Sequence, residues 1–531
     1  MRKNLKNHWL LILAILLGFL LRFWRVGSLP VILNRDEAAL AYNAYLLSET
    51  GKDEWGRSWP ISLESFGDYK LPGYVWVLVS LFEVFTPTDT IVRLPSVISG
   101  TLLILVTFLW IRSLKIPKKF AILGAWLVAL LPVSIFYSRM AYEANVGLTL
   151  MVAALWLITD LKSKWNFKRI SLLFLILLFG IFTYNTPWLL LPFFAGYTFL
   201  LFPYKKRKKS LLLIGMMGVI FLVGVKVFLS LTAQKSGITI FSDETIWSEW
   251  INYRENLDPR WLWLLGSKYA YWLGLIWQRF WQSFTPDFLV THGDNHSWHS
   301  LPTWGHLSWL VYGAGWIGLV NSLKRIIVSL KLLKKSAKKK LEFKQEIALV
   351  FLLFTSISAS VITVDSPHAT RSLLFFIIWV VFAVKGLEWL YKLKIWQTKK
   401  VFWFVVISIM FLETIWHSHQ LFNTYPKNQE MFQPGYDSMI QFIDKKSSGK
   451  PVAIVDPSGY SYILTAWYLK MSPETYFSTN VRQLPDKIGF RYGEQVANFH
   501  FIASPDDASE TEEILLQWRS DNNGWRIYGL N

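Results

Sequence analysis

The 531-residue chain contains no cysteine and few charged residues. Without cysteine there are no disulfides and no thiolate metal sites, so any chemistry relies on oxygen and nitrogen groups. Charged residues make up 17% of the chain, whereas hydrophobic residues make up 53% and occur in long blocks. Soluble domains carry about 25% charged residues. The composition therefore predicts a membrane protein.

The hydrophobic blocks are long enough to cross a bilayer, which requires roughly 20 mostly apolar residues. The first block, Trp9 to Trp24, follows a basic start and has no small-residue cleavage site after it. We therefore predict an uncleaved first span. Ten further spans are predicted near 91–113, 118–138, 145–161, 170–184, 187–204, 210–231, 307–329, 346–364, 371–391 and 401–418. The predicted fold class is a polytopic α-helical membrane protein with about 11 transmembrane helices.

The basic residues predict which side each loop faces. They cluster in alternate gaps, such as Lys205–Lys209 and Lys324–Lys344, whereas acids outnumber bases in 27–90 and 232–306. Short cytoplasmic loops retain an excess of Lys and Arg. We therefore predict a multi-pass protein of the cell (plasma) membrane, with a cytoplasmic amino terminus and extracytoplasmic 27–90 and 232–306 loops. The formal charge of +19 is interpreted as a topology signal and not as a nucleic-acid site.

Two segments predicted to face outward contain apolar stretches that are too short or too interrupted to cross the membrane. The stretch Gly73 to Phe85 could be taken for a span, but counting it would turn every later basic loop outward. We predict an interfacial helix there, on the outer surface. The Trp-rich segments of 232–306 are interpreted in the same way.

The chain changes character after Trp416. Pro451–Val455 is strand-like, and Ser461 to Met471 has the composition of a helix. Short strands and polar turns follow. We predict a transmembrane domain over 1–418 and a small extracytoplasmic α/β domain over 419–531.

Two adjacent acids, Asp36 and Glu37, follow the first span, and Lys70 closes the polar stretch after them. A carboxylate at a membrane surface can act as a general base, and a nearby cation can hold a lipid phosphate as leaving group. The alternative is that the acids only cap an interfacial helix running to Ser48, because acids favour helix amino termini.

Several motifs carry a resemblance to a known family. They are Asp36-Glu37, Tyr42-Asn43-Ala44, the stretch from Thr50 to Gly56, Asp68 to Pro72, Val92 to Ser96, Tyr137 to Asn145, Phe284 to Leu289 with Gly293-Asp294, and Ser366 to Arg371. With these motifs, the chain resembles bacterial polyprenyl-phosphate-dependent glycosyltransferases of the C-type superfamily. That superfamily includes the protein O-mannosyltransferases and the lipid A aminoarabinose transferases.

The resemblance implies a role for each matched residue. Asp36 would be the catalytic base, and Glu37 would complete the acidic pair in a supporting role. Lys70 would bind the lipid phosphate, and Asp68 would stand near the second loop carboxylate of the relatives, although its spacing differs from theirs. Substrate would also be bound by residues at the outer span ends, namely Arg139, His368 and Arg371.

Each of these assignments has a simpler alternative. Arg139 could reach the interface and pair with Glu143 one helical turn on, and His368 with Arg371 could mark only a span boundary. The cluster His292, Asp294, His296 and His299 has the ligand types of a metal site, but a solvated loop is the simpler interpretation. No cofactor is assigned, and a divalent cation stays open because only some relatives use one.

The leading hypothesis is an inverting glycosyltransferase. It would move a sugar from a polyprenyl-phosphate donor to a protein, lipid or glycan acceptor on the extracytoplasmic side. The rival is a transporter or flippase of a lipid-linked or anionic solute, and a silent scaffold is a third class. Transporters favour repeated halves and polar sites near mid-membrane, whereas here no halves repeat and the polar residues crowd the predicted outer face.

Overall fold

The computed structural model describes residues 8–232, 239–294, 298–301, 304–332, 337–394, 398–428, 432–486, 489–509, 514–521 and 524–529. Helices dominate the chain up to residue 428. They are α1 Trp9–Phe23, α2 Arg35–Thr50, α3 Gly73–Phe82, α4 Asp89–Ser113, α5 Lys118–Ala129, α6 Pro132–Ser138, α7 Glu143–Leu161, α8 Phe167–Thr183, α9 Asn185–Leu189, α10 Leu191–Leu201, α11 Arg207–Thr232, α12 Glu244–Glu255, α13 Leu262–Leu265, α14 Lys268–Gln282, α15 Trp309–Leu332, α16 Ala337–Thr355, α17 Ser358–Val361, α18 Leu373–Tyr391 and α19 Lys399–His419.

Helices occupy all eleven of the predicted spans, but they differ in length. Among the described residues, six helices are long and apolar enough to cross a membrane, or seven if α5 and α6, bent by 53°, form one span. These helices indicate a multi-pass membrane protein. The count of eleven and the assignment of sides stay predictions.

The helix α18 lies at the centre of the helical region. Every residue of Leu373–Leu387 is buried, as expected for a helix that is apolar on all sides. Two glycines, Gly318 of α15 and Gly386 of α18, bring these helices together. A Cβ at Gly318 would collide with the Phe382 carbonyl, and one at Gly386 with the Ala314 carbonyl. Small residues allow this close backbone contact between helices.

The segment 27–90 folds into α2, a hairpin and α3. The helix α3 has ten residues, which is too short to cross a bilayer. Its Tyr74 hydroxyl donates to the Val92 carbonyl at 2.8 Å, and Trp76 packs against Phe182 with ring centroids 5.6 Å apart. A helix therefore lies where the interfacial helix was predicted, and it packs against α4 and α8.

The hairpin pairs β1 Leu63–Ser65 with β2 Asp68–Lys70. Its two-residue turn has φ of 47° at Phe66 and 85° at Gly67. Two successive positive φ values match the twist of antiparallel strands. Because side chains two residues apart on a strand share a face, Asp68 and Lys70 project from the same side of the hairpin.

The carboxy-terminal region is an α/β unit, as predicted. Its elements are α20 Tyr436–Ser447, β3 Val452–Val455, α21 Ser461–Tyr468, α22 Pro473–Thr479, β4 Val481–Arg482, β5 Gly493–Val496, β6 Phe499–Ile502, β7 Ile514–Arg519 and β8 Gly524–Tyr528. The strand order is β4-β5-β6-β3-β7-β8. The buried central strand β3 pairs in parallel with β6 and β7, and the remaining pairs are antiparallel. A strand and a helix lie where Pro451–Val455 and Ser461 to Met471 predicted them.

Candidate active site

The first turn of α2 carries both predicted carboxylates. Asn34 Oδ1 accepts the N–H groups of Asp36 and Glu37, each at 2.9 Å. Glu37 Oε2 accepts the Asn34 N–H at 3.1 Å. This capping box explains why the helix begins here. The helix-cap interpretation therefore holds for the Glu37 side chain, whereas Asp36 contributes its backbone N–H to the cap.

Glu37 lies in the protein interior and is enclosed by donors. It is 1% exposed, and both of its carboxylate oxygens accept from Arg93, at 2.9 and 3.0 Å. The Ala141 N–H donates to it as well, at 2.7 Å. Arg93 also donates to the carbonyls of Pro30 and Ile32. Glu37 was expected to complete a catalytic pair, but these contacts instead make it a structural anchor that fixes the chain around Asp36.

Asp36 points away from this anchor and keeps 36% of its side chain exposed. Its Oδ1 accepts from Lys70 Nζ at 2.6 Å. Asp68 Oδ2 lies 3.9 Å from the same Nζ. The hairpin thus presents Lys70 between two carboxylates, and three of the residues implied by the resemblance meet at one point.

The charges at this point set the protonation states. Burial alone would raise the pKa of Asp36, but the positive charges of Lys70 and Arg35, together with the Lys70 hydrogen bond, hold this pKa below its usual value. Burial would lower the pKa of Lys70, but the negative charges of Asp36, Glu143 and Asp68 outweigh it and raise this pKa. Both groups of the pair are therefore charged at neutral pH.

A second group of side chains surrounds His299. Its Nδ1 lies 3.1 Å from the Thr370 hydroxyl, which lies 2.8 Å from the Tyr137 hydroxyl. The rings of His299 and His368 have centroids 4.6 Å apart. His299 also contributes to the lowered pKa of Asp36. We call the segment that carries His368, Thr370 and Arg371 the second wall of the candidate site, because His299 contacts this segment.

His368 is held by the segment that precedes α18. Its Nδ1 accepts the Thr370 N–H at 3.2 Å and lies 3.6 Å from Asp294 Oδ2. The same Asp294 oxygen accepts the Ala369 N–H at 2.9 Å. Because Nδ1 accepts a hydrogen bond, the neutral imidazole carries its proton on Nε2. His368 is therefore part of a packed network and not only a span boundary.

Arg371 belongs to the same wall. Its Nη1 donates to the Thr363 hydroxyl at 2.8 Å. The charges of Arg371, Glu143, Asp68 and Lys70 all act on Tyr184. Arg371 and the hairpin therefore lie within electrostatic reach of one phenol.

Arg139 lies outside this site. It is 1% exposed, and its guanidinium donates to the carbonyls of Leu21, Arg22, Trp24 and Leu29. These carbonyls belong to the carboxyl end of α1 and the turn after it, where the helix dipole favours a cation. The substrate-binding role is therefore not supported, and Arg139 binds these carbonyls instead of pairing with Glu143.

The histidine-rich cluster divides into separate groups. His292 Nδ1 lies 2.5 Å from Asp287 Oδ1, and both side chains are more than 70% exposed. Asp294 and His299 face the His368 network, and His296 lies outside the described residues. In the described part of the chain, no group of three His, Asp or Glu side chains is arranged around a metal.

A buried carboxylate that the sequence analysis did not single out, Glu54, links the site to the α/β unit. Its Oε1 accepts from Asn43 of α2 at 2.9 Å and from Ser65 of the hairpin at 3.0 Å. Its Oε2 accepts from Arg482 at 2.5 Å and from the Tyr462 hydroxyl at 3.1 Å. Glu54 thereby holds the helix that carries Asp36, the Lys70 hairpin and the α/β unit together. The only sequence signal was an acid in the Thr50 to Gly56 motif.

Arg35, next to the predicted base, is enclosed by aromatic rings. Its guanidinium lies 4.0 Å from the Tyr460 ring centroid and 5.4 Å from that of Trp298. Cations bind favourably over such ring faces. Tyr460 comes from the α/β unit and Trp298 from the 232–306 segment, so three distant parts of the chain meet at this edge of the site.

Comparison with known proteins places this geometry in a known fold. No protein-family description matches the sequence, and no curated protein is significantly similar to it. Solved structures do match. The Archaeoglobus fulgidus oligosaccharyltransferase tethered with an acceptor peptide matches over 87% of this chain at 12% identity and a TM-score of 0.53. The same archaeal enzyme in complex with an inhibitory peptide and a dolichol-phosphate matches at 13% identity, with a TM-score of 0.53. The chain spans 64% of their length.

A second neighbour is ArnT from Cupriavidus metallidurans bound to undecaprenyl phosphate. The match covers 86% of this chain and 84% of the ArnT chain, at 13% identity and a TM-score of 0.49. The chain therefore shares the fold of the archaeal oligosaccharyltransferase.

Proposed function

We propose that this protein is a membrane glycosyltransferase that moves a sugar from a polyprenyl-phosphate donor to an acceptor on the extracytoplasmic side. The observation that carries the proposal is the contact of Lys70 Nζ with Asp36 Oδ1 at 2.6 Å, in a partly exposed site. The pair joins a base to a cation able to hold a phosphate. The fold supports this assignment, because its solved neighbours include an oligosaccharyltransferase bound to a dolichol-phosphate.

The reaction is a single displacement with inversion. Asp36 accepts the proton of the acceptor hydroxyl or amine, whose oxygen or nitrogen attacks the anomeric carbon of the donor sugar. The bond between this carbon and the phosphate oxygen breaks, and the polyprenyl phosphate leaves with the bonding electrons. Proton transfer to a positioned base contributes about 10²–10⁴-fold to such a rate.

The Asp36–Lys70 contact implies an exchange of partners when donor binds. The Lys70 ammonium is a point charge on a flexible stem, and a donor phosphate competes with Asp36 for it. As Lys70 turns to the phosphate, the attraction that lowers the pKa of Asp36 weakens. Asp36 therefore becomes a stronger base at the moment when the leaving group is bound.

The remaining residues either position Lys70 and Asp36 or bind the donor in this scheme. Asp68, 3.9 Å from Lys70 Nζ, keeps the ammonium near the site while it changes partner. His368 and Arg371 form the opposite wall and bind polar groups of the donor. Glu37, fixed by Arg93, positions the turn that carries Asp36.

The experiment is a transfer assay on purified protein in vesicles with a defined polyprenyl-phosphate sugar donor. The wild type should release polyprenyl phosphate and form a glycosylated acceptor, whereas Asp36→Asn should bind donor but transfer the sugar about 10²–10⁴-fold more slowly. A transporter or flippase would move labelled lipid across the bilayer without breaking the sugar–phosphate bond. Such movement without bond cleavage would overturn the proposal.

A further inference from the structure

The helix α14 carries an exposed apolar stripe. Tyr269, Leu273, Trp277 and Trp281 follow one another at intervals of four residues, and they are 64%, 67%, 64% and 47% exposed. Residues four apart lie on the same side of an α-helix. On the other side of the helix Arg279 is buried, and Phe280, at the edge of the stripe, packs against buried residues. The helix therefore has an apolar outer face and an inner face that joins the protein.

The inner face of α14 fixes its level relative to the spans. The ring of Phe280 lies 5.7 Å from that of Phe354, one residue before the end of α16. That end of α16 leads directly into the 358–372 segment, which carries His368 and Arg371. The stripe is thus at the level of the site, where the candidate span Leu341–Val361 leaves the apolar layer.

The chemistry of the stripe fits one occupant, the interfacial region of the lipid bilayer. Tryptophan and tyrosine are the side chains enriched at this level, because their rings are amphipathic. The Lys268 ammonium at the start of the helix lies 5.4 Å from the rings of Trp247 and Tyr269. Such a cation beside aromatic rings is suited to anionic head groups. A soluble partner protein would not explain why α14 packs against α16, which belongs to a candidate membrane span.

Arg279 connects this helix to the active site. Its guanidinium donates to the carbonyls of Thr363 at 2.6 Å and Val364 at 3.1 Å. The hydroxyl of Thr363 in turn accepts from Arg371 at 2.8 Å. One side chain therefore joins the membrane-facing helix to the segment that presents the second wall of the site.

We infer that α14 is a membrane-surface anchor whose contact with the outer leaflet positions Arg371 and His368 through Arg279. The substrate-binding part of this inference rests on the proposed function. Arg279 acts through other residues and is a positioning residue. When the coupling is lost, the protein should bind the donor more weakly, and the rate of the chemical step should change little.

The depth of the stripe is measured first, because the cysteine-free chain accepts single spin labels without background. Leu273→Cys and Trp277→Cys are labelled in vesicles of phosphatidylethanolamine and phosphatidylglycerol. Both labels should be more accessible to oxygen than to a water-soluble nickel complex. The control is Glu494→Cys on the exposed side of β5, which should show the reverse. Nickel accessibility at 273 and 277 equal to that at 494 would overturn the anchor. This result does not depend on any enzymatic activity.

The coupling is tested by a double-mutant cycle. Arg279→Met and the pair Leu273→Asp/Trp277→Asp should each weaken binding of undecaprenyl phosphate, and each should raise the donor KM about tenfold, within the range of couplings through packed networks. The kcat should change by less than about threefold, and Arg279→Lys should recover part of the affinity. Because both changes break one connection, combining them should cost no more than either alone. Additive losses, or unchanged binding in vesicles, would overturn the coupling.

Discussion

The two long segments predicted to face outward, 27–90 and 232–306, differ in how they are built. In the first, α2 buries ten of its sixteen residues. The acids Glu37, Asp36 and Glu54 of this segment bind partners in α4, the hairpin and the α/β unit, respectively. In the second, α12 and α14 together bury Ile246 and Arg279 among their described residues. The helix α2 of the first segment is part of the protein core, whereas α12 and α14 of the second lie on the surface. Substitutions should therefore affect chemistry and folding in the first, and positioning in the second.

The largest effect should follow Asp36→Asn. The amide keeps the shape of the side chain but cannot accept the acceptor proton, so the transfer rate should fall by about 10²–10⁴-fold. Binding of polyprenyl phosphate should survive. The matched control in the second segment is Asp258→Asn, whose exposed partner is Arg260. This change should leave transfer intact, because exposed pairs contribute little. Near wild-type transfer by the Asp36 variant would remove it as the base.

Glu37→Gln should chiefly destabilise the fold. It leaves the buried Arg93 guanidinium without its charged partner, and breaking such pairs costs about 3–5 kcal/mol of unfolding free energy. The measurement is the thermal unfolding midpoint in detergent. Asp287→Asn breaks the exposed pair with His292 and should leave the midpoint unchanged. If both variants unfold at the same temperature as the wild type, the contrast between the two segments is wrong.

Lys70→Met should weaken binding of undecaprenyl phosphate about tenfold or more, because hydrogen bonds to charged groups contribute about 1.5–3 kcal/mol. It should also move the acid limb of the kcat/KM profile to higher pH. Lys70 holds the pKa of Asp36 below its usual value, so removing this charge raises that pKa, and the base becomes protonated at a higher pH. Lys70→Arg should restore the position of the acid limb. A limb that stays in place in the Met variant would show that another group titrates.

The smallest effect should come from the rings around Arg35. Tyr460→Ala removes the nearer ring at 4.0 Å, and Trp298→Ala removes the one at 5.4 Å. A cation–π contact at a partly exposed site contributes about 0.5–1 kcal/mol, so transfer should fall about two- to fivefold for Tyr460→Ala and less for Trp298→Ala. If Trp298→Ala reduced transfer as much as Tyr460→Ala or more, the distance between ring and guanidinium would not determine how much each ring contributes.

The sequence predicted the helical segments and the α/β unit, and the resemblance singled out Asp36 and Lys70 without predicting their contact. Hydrophobic length and local motifs were sufficient for these features, since the capping residue Asn34 lies beside the acids it caps. The different roles of Asp36 and Glu37 could not be predicted, because they depend on Arg93 and Ala141, which lie 56 and 104 positions from Glu37. Two neighbouring acids give the same signal in the sequence, and only the packing of the fold determines which of them is buried.

The role of Arg139 could not be predicted from the sequence either. A basic residue at the end of an apolar helix gives one sequence signal whether it binds substrate or the carbonyls of another helix. The carbonyl of Leu21 lies 118 positions away, so no local pattern pointed to it. The separation of His292 from Asp294 is similar, because one turned toward Asp287 and solvent while the other turned toward the Ala369 backbone.

The Glu54 contacts also constrain the order in which the protein can be completed. Arg482 and Tyr462 lie 428 and 408 positions after Glu54, so during synthesis this acid emerges long before its partners. Bringing such distant groups together is slow, because a long loop must close first. A nascent or truncated chain that lacks the α/β unit would have Asp36 and the Lys70 hairpin without their common support. The candidate site can therefore be completed only after the α/β unit has been synthesised and has docked on Glu54.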